Sequence, residues 1–171
     1  MPRFRQELKE ALPGLWRYAF ALTRDRARAD DLVQDCAERA LRKRHLWQED
    51  RPLRPWLAKM ALNIHRNGYK GAARHLHVAY EDADLSAHAT PSPEQGLEAA
   101  EMLRRVDALP IEQRDVLLLV VIDGLSYAET ATALDIPIGT VMSRLSRARA
   151  ALKSELKQEA PVTGTRLRSV T

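Results

Sequence analysis

A single cysteine, Cys36, stands in 171 residues, so an internal disulfide framework is excluded and a reducing, cytoplasmic compartment is expected. Glycine is scarce, at 7 residues, and no segment shows strand-turn-strand alternation. Hairpin-built sheets are thereby excluded, and an all-α fold is expected. No apolar run reaches the roughly 18 residues that a membrane-spanning helix needs, so membrane insertion is not expected. The opening MPRFRQELKEALPG carries too many charges for a signal peptide. Glycine-rich phosphate loops and Ser/His/Asp arrangements are also missing, so no catalytic residue and no enzyme activity are expected. His65, His75, His77, His88 and Cys36 do not fall into finger or HExxH spacing, so neither metal nor cofactor is expected.

Lysine and arginine are absent from residues 76–100, which hold 5 acids. Residues 1–75 are the reverse, with 17 Lys/Arg against 9 Asp/Glu, while residues 101–160 are near balance at 8 against 9. Two blocks separated by an acidic stretch argue for two small helical domains: 1–75, a flexible acidic linker at 76–92, a second domain at 93–160, and a mobile tail at 161–171. The basic first block favours a polyanionic partner.

Within the first block, apolar residues from Phe4 to Leu22 recur at helical spacing. Pro13-Gly14 interrupts them, which predicts a short first helix and a second from about residue 13. Asp25 is placed to cap a helix running to about His45. Its Leu32, Val33, Cys36, Ala37 and Ala40 share one face, and Asp31, Gln34, Asp35, Glu38 and Arg42 share the other. A loop with two prolines, residues 46–55, leads to a helix opened by Trp56, with Leu57, Met60, Ala61 and Ile64 towards the core. Lys59, Asn63, Arg66, Asn67, Lys70 and Arg74 supply its polar and basic side.

The second block is organised around Gly124–Lys157. Ser126 and Glu129 have the spacing of a capping box, and Asp135-Ile136-Pro137 breaks the helix that follows. A second helix starts near Gly139. Val141, Leu145, Ala148 and Leu152 form its apolar stripe, with Gly139, Ser143, Ser146, Arg147 and Ala150 opposite and Arg144 and Arg149 on the flanks. Small residues permit close approach, and Ser and Arg can address base edges and phosphates. On charge alone a solvated basic face is the commoner reading; the short turn, the capping box and the small-residue face bring the two readings level. Upstream, Ser92-Pro93 with Gln95 has the pattern of a helix start, and Leu109-Pro110 opens a helix ended by Gly124.

Leu109-Pro110…Gln113-Arg114, then Gly124-Leu125-Ser126-Tyr127-Ala128-Glu129, then Gly139 to Arg149 resemble region 4 of an extracytoplasmic-function (ECF) sigma factor. Ala29–Leu41 resembles sigma region 2.2, and the helix from Trp56 resembles regions 2.3 and 2.4. Asn67 and Lys70 depart from the Asp and Arg common there, and Met142 stands where several members are basic. The resemblance implies a sigma factor that binds core RNA polymerase and directs initiation at promoter DNA. It implies docking on the β′ clamp helices through Asp31, Gln34, Asp35 and Glu38. It implies recognition of a −10 element by Trp56, Lys59, Asn63, Arg66, Asn67 and Lys70. It implies recognition of a −35 element by Thr140, Met142, Ser143, Arg144, Ser146, Arg147 and Arg149. Control by an anti-sigma factor also follows from it. The free chain is expected to be monomeric and to sample open arrangements, because each domain of about 65 residues has a marginal core. Two other readings are a DNA-binding regulator that never enters polymerase and a sigma mimic that sequesters an anti-sigma factor. The N-terminal block argues against the first, and Arg144, Arg147 and Arg149 argue against the second.

Overall fold

Seven α-helices and one 3-10 turn make up the regular structure of the described residues, 2–72 and 93–158, in a computed structural model. In chain order these are α1 (Pro2–Thr23), α2 (Arg26–Arg42), the 3-10 turn (Arg44–Leu46), α3 (Leu53–Ala72), α4 (Pro93–Ala108), α5 (Ile111–Val121), α6 (Tyr127–Leu134) and α7 (Ile138–Gln158). No strand occurs among the described residues, so the all-α expectation holds. The linker expected at 76–92 and the tail at 161–171 lie outside the described residues, as do Ser92 and Arg74.

The expected break at Pro13 does not occur. Proline 13 sits inside a continuous 22-residue helix. A proline within a helix costs about 3 kcal/mol through a lost hydrogen bond and a clash with the preceding turn. Here the apolar face runs unbroken across it: Leu8, Ala11, Leu15, Tyr18 and Ala19 are all buried. Packing of that face on α2 and α3 outweighs the local penalty. Arg24 then takes a left-handed conformation, φ 56°, its N–H donating to the Phe20 carbonyl at 2.8 Å, and the chain turns into α2. Asp25 caps α2 as expected, accepting from the Arg28 N–H at 2.7 Å. The helix stops at Arg42, and the 3-10 turn takes the chain on from there.

In the C-terminal half, α5 ends just before Gly124, whose φ of 74° lets the chain turn back on itself. The capping box at α6 is complete: Glu129 N–H donates to Ser126 Oγ at 3.2 Å, and Ser126 N–H to Glu129 Oε2 at 2.8 Å. Asp135 closes α6 at φ 57°, and α7 begins at Ile138. Val141, Leu145 and Ala148 are buried against α5 and α6 as their stripe predicts.

The helices α1, α2 and α3 pack on one another around Tyr18, Cys36, Leu53 and Leu57; α5, α6 and α7 pack around Val116, Leu119 and Val141. These are not separate cores. Helix α3 packs on α6, α1 touches α5, and most of the buried apolar residues of both halves join in one cluster, while Ala19, Phe20, Ala29 and Leu32 form a second one. The expectation of an open arrangement is therefore not what the structure displays. Its two halves are closed on each other. Cys36 lies in this interior, its Sγ 3.5 Å from the Leu57 carbonyl. Burial pushes its thiol up to about 12, so it stays protonated and inert.

Candidate nucleic-acid interface

Helix α7 presents the outward face that its sequence predicts. Met142, Ser143, Ser146, Arg147 and Arg149 are exposed, and Thr140 is half-buried. The Ser143 hydroxyl donates to the Thr140 carbonyl at 3.1 Å, which fixes its orientation and leaves its lone pairs outward. Arg144 differs from the rest: it reaches back to Glu112 in the first turn of α5 at 2.9 Å and is only partly exposed. Ile138 and Met142, one turn apart, add exposed apolar surface at the N-terminal end of the same helix.

On α2, Asp31, Gln34, Asp35 and Glu38 are all exposed on one face, opposite the buried Leu32, Cys36 and Ala40. Gln34 Nε2 donates to Glu38 Oε1 at 3.2 Å, and Arg42 lies 3.9 Å from the same carboxylate. The stripe is continuous and open to solvent.

On α3, Asn63 and Asn67 are exposed, while Trp56 is half-buried with its ring edge-on to Phe4, 6.5 Å between centroids. Lys70 lies on the same helix; its side chain falls outside the described residues. Ahead of α3, a cleft of about 360 Å³ is lined by Phe4, Arg42, Arg44, His45, Trp47 and Glu49. Arg3 stacks over the Trp47 ring at 5.9 Å. The cations of this cleft are Arg42 and Arg44, while Phe4 and Trp47 in its lining are buried.

Two cations of the α3 face are already engaged by the chain itself. Arg66 is hydrogen-bonded to Asp115 of α5, and Lys59 lies 4.0 Å from Asp135 at the end of α6. Two further pairs share the same polarity. Arg54 donates to the Asp123 backbone carbonyl and lies 3.3 Å from its carboxylate; Arg24 grips Asp107 with two nitrogens at 3.1 and 3.3 Å. In all four the cation comes from the N-terminal half and the acid from the C-terminal half. Asp115 and Asp123 are 2% and 4% exposed, and burial pushes both carboxyl groups above the usual carboxylate range against the pull of Arg66 and Arg54. The Tyr18 hydroxyl, buried among the same charges, has no hydrogen-bond partner, and burial pushes its ionisation well up.

Sequence reasoning missed Arg24, Arg54, Asp107, Asp115 and Asp123. Asp115 carries a faint signal, an acid directly before the apolar run Val116–Val121, where solvent is least available. The others look like ordinary surface charges in sequence.

Likeness to known proteins identifies the family of the chain. Residues 99–152 match the family described as Sigma-70, region 4, and residues 8–61 match the Sigma2 domain of PhyR. The ECF RNA polymerase sigma factor EcfG of Rhodopseudomonas palustris is 35% identical over 156 residues, covering 89% of this chain and 84% of that one. The chain belongs to the ECF RNA polymerase sigma factors. Another relative, the RNA polymerase sigma factor HrpL of Pseudomonas syringae pv. syringae, is 37% identical over 134 residues, covering 74% and 72%. Among solved structures, sigma factor RpoE of Bartonella quintana, crystallised with the anti-sigma factor NepR, superposes with a TM-score of 0.73 at 27% identity, covering 93% of this chain and 99% of that one. CnrH in complex with the cytosolic domain of CnrY gives 0.70 at 28% identity, covering 92% and 89%. In this sigma factor, no helix among the described residues is long and apolar enough to cross a membrane.

Proposed function

We propose that this ECF sigma factor works in the cytoplasm as a monomer that binds core RNA polymerase and promoter DNA and carries no chemistry of its own. The division of labour follows the domains 1–75 and 93–160, with 76–92 as the linker and 161–171 as a tail. The observation that carries the reading is the face of α7: small and hydrogen-bonding residues with Arg147 and Arg149, exposed on the second helix of a capped helix-turn-helix. That helix reads the −35 element in the major groove. Ser143, Ser146 and Arg147 address base edges, and Thr140, Arg144 and Arg149 address phosphates. Arg144 must leave Glu112 to do so.

The face of α3 carrying Trp56, Lys59, Asn63, Arg66, Asn67 and Lys70, with the cleft before it, takes the melted −10 strand. An asparagine offers both a donor and an acceptor to a base edge exposed by strand separation. The acidic stripe of α2, Asp31, Gln34, Asp35 and Glu38, docks on the β′ clamp helices, where charge complementarity sets orientation and association rate more than affinity. An anti-sigma factor is the regulatory partner, by likeness to the sigma factor RpoE crystallised with the anti-sigma factor NepR and to CnrH in complex with the cytosolic domain of CnrY.

Run-off transcription tests the reading. Core polymerase, this protein and fragmented genomic DNA should give discrete transcripts, and these should vanish with Asp31→Ala/Asp35→Ala. Sequence-specific duplex binding without transcripts would instead make the chain a conventional regulator.

A further inference from the structure

Two large apolar side chains stand exposed on α7, outside its buried stripe. Ile138 is 45% exposed and Met142 49%, and among the described residues they are the large exposed apolar side chains of that helix. They lie one turn apart in its N-terminal part, the part of a recognition helix that contacts base edges. At ~100° per residue they share a flank with Arg149, between the stripe of Val141, Leu145 and Ala148 and the face of Ser143 and Ser146. We propose that Ile138 and Met142 read thymine methyl groups, so that the −35 element carries thymines on one strand, one or two base-pair steps apart. The proposal rests on the assignment of α7 to the −35 element and adds to it the identity of two bases.

The chemistry of the major groove selects the partner. Each base pair displays donors and acceptors there, and only thymine adds an apolar group, its C5-methyl. Isoleucine has no polar side-chain atom and a thioether is a weak acceptor, so neither answers the amino or carbonyl groups of the other bases. The methyl stands at the rim of the groove, beside the phosphates of its own strand. A flank that holds both apolar residues and Arg149 suits that place, with the arginine on the neighbouring phosphate. Spacing gives the register. Four residues of helix rise about 6 Å, and bases on one strand follow one another at about 3.4 Å.

Gly139, next to Ile138, points to close approach. Its φ is outside the left-handed region, and a Cβ there would meet no neighbouring atom within 4 Å. Neither backbone nor packing requires glycine, which is among the poorest helix formers. Its bare backbone lets the first turn of α7 lie close in the groove, within reach of the methyls. A protein partner is a poorer occupant. Two apolar residues bordered by Gly139, Ser143, Ser146 and Arg149 fall short of the packed apolar core of a protein interface.

The test uses the full chain assembled with core RNA polymerase. Promoter duplexes taken from its run-off transcripts are compared in competition binding, with thymine or deoxyuridine in the −35 element. Deoxyuridine pairs with adenine in the same way and lacks only the methyl. The thymine form should bind about fourfold tighter for each methyl contacted, the worth of one buried CH₂. Ile138→Ala and Met142→Ala should each remove about one such factor, and the double variant should bind both forms alike. Met142→Leu should keep most of the preference. Both side chains are exposed, so the variants should fold, and circular dichroism checks this.

A −35 element without thymine would overturn the proposal. So would equal binding of the two forms by the wild type, or a preference that survives in the double variant. Arg147→Ala should weaken both forms and leave their ratio unchanged. If it weakened neither, the assignment of α7 to the −35 element would be what failed, and the proposal with it.

Discussion

The two helices assigned to DNA, α7 and α3, stand in opposite conditions. Among the described residues, the α7 face is exposed except at Arg144, which pairs with Glu112, and at the half-buried Thr140. The α3 face is partly taken by the chain's own acids, Asp115 and Asp135. Both faces are polar, basic and amphipathic in sequence, so local character does not separate them. What separates them is the side on which the other half lies. The stripe of α7 is buried within its own half, and the opposite face is left free. Helix α3 buries one side against α1 and α2 and part of another against α6.

The comparison can be broken most forcefully at the shared core. Leu57 on α3 is 1% exposed within the cluster that joins the halves. Leu57→Ala should destabilise by about 2–5 kcal/mol. Urea unfolding followed by circular dichroism should still show one transition, because both halves share that cluster. Two separated transitions would show the halves to be energetically independent.

A change on α7 sharpens the contrast. Arg147 is exposed on α7 and belongs to none of the four ion pairs between the halves. Arg147→Ala should weaken binding to a −35 duplex by ~1–3 kcal/mol and relax preference at one or two positions, with the small-angle scattering profile unchanged. Anisotropy over a panel of substituted duplexes measures both. Uniform weakening across the panel would make Arg147 a phosphate contact.

The smallest effect concerns pH at the α3 face. Burial, with the nearby Arg114 and Arg66, lowers the His65 pKa, while Asp115 pulls the other way. A histidine whose folded pKa is depressed contributes stability above its unfolded value of 6.5, and that stability is lost as pH falls towards the folded pKa. Thermal melts from neutral to mildly acidic pH should therefore show a decline that His65→Gln reduces. Asp115 and Asp123 act with the opposite sign, since their folded pKa values are raised above 3.8. Their contribution is full below that value and lost as pH rises through the raised values, so further acidification should offset part of the decline.

Much of the fold was legible in the chain. The capping box, the α7 stripe, the Asp25 cap and the acidic stripe of α2 each depend on residues within a few turns of one another, and each is found in the structure. The exposed residues of the α7 face were legible for the same reason. Pro13 misled because its penalty is local while the packing that overrides it is not. The acids that lie beside α3 were illegible. Asp115 lies 49 residues from Arg66 and Asp123 lies 69 from Arg54, and no local period links them.

The sequence by itself thus determined the helices, their apolar faces, the family and the sorting of charge between the halves. These are properties of neighbours and of composition, which hold whatever the rest of the chain does. Only the tertiary structure decided that α1 runs through Pro13, that the halves share one core, and that Arg66 and Lys59, though still exposed, lie beside acids of the other half. A charged residue on an amphipathic helix has the same pattern whether solvated or paired. Which of the two it becomes depends on what a distant segment brings against it.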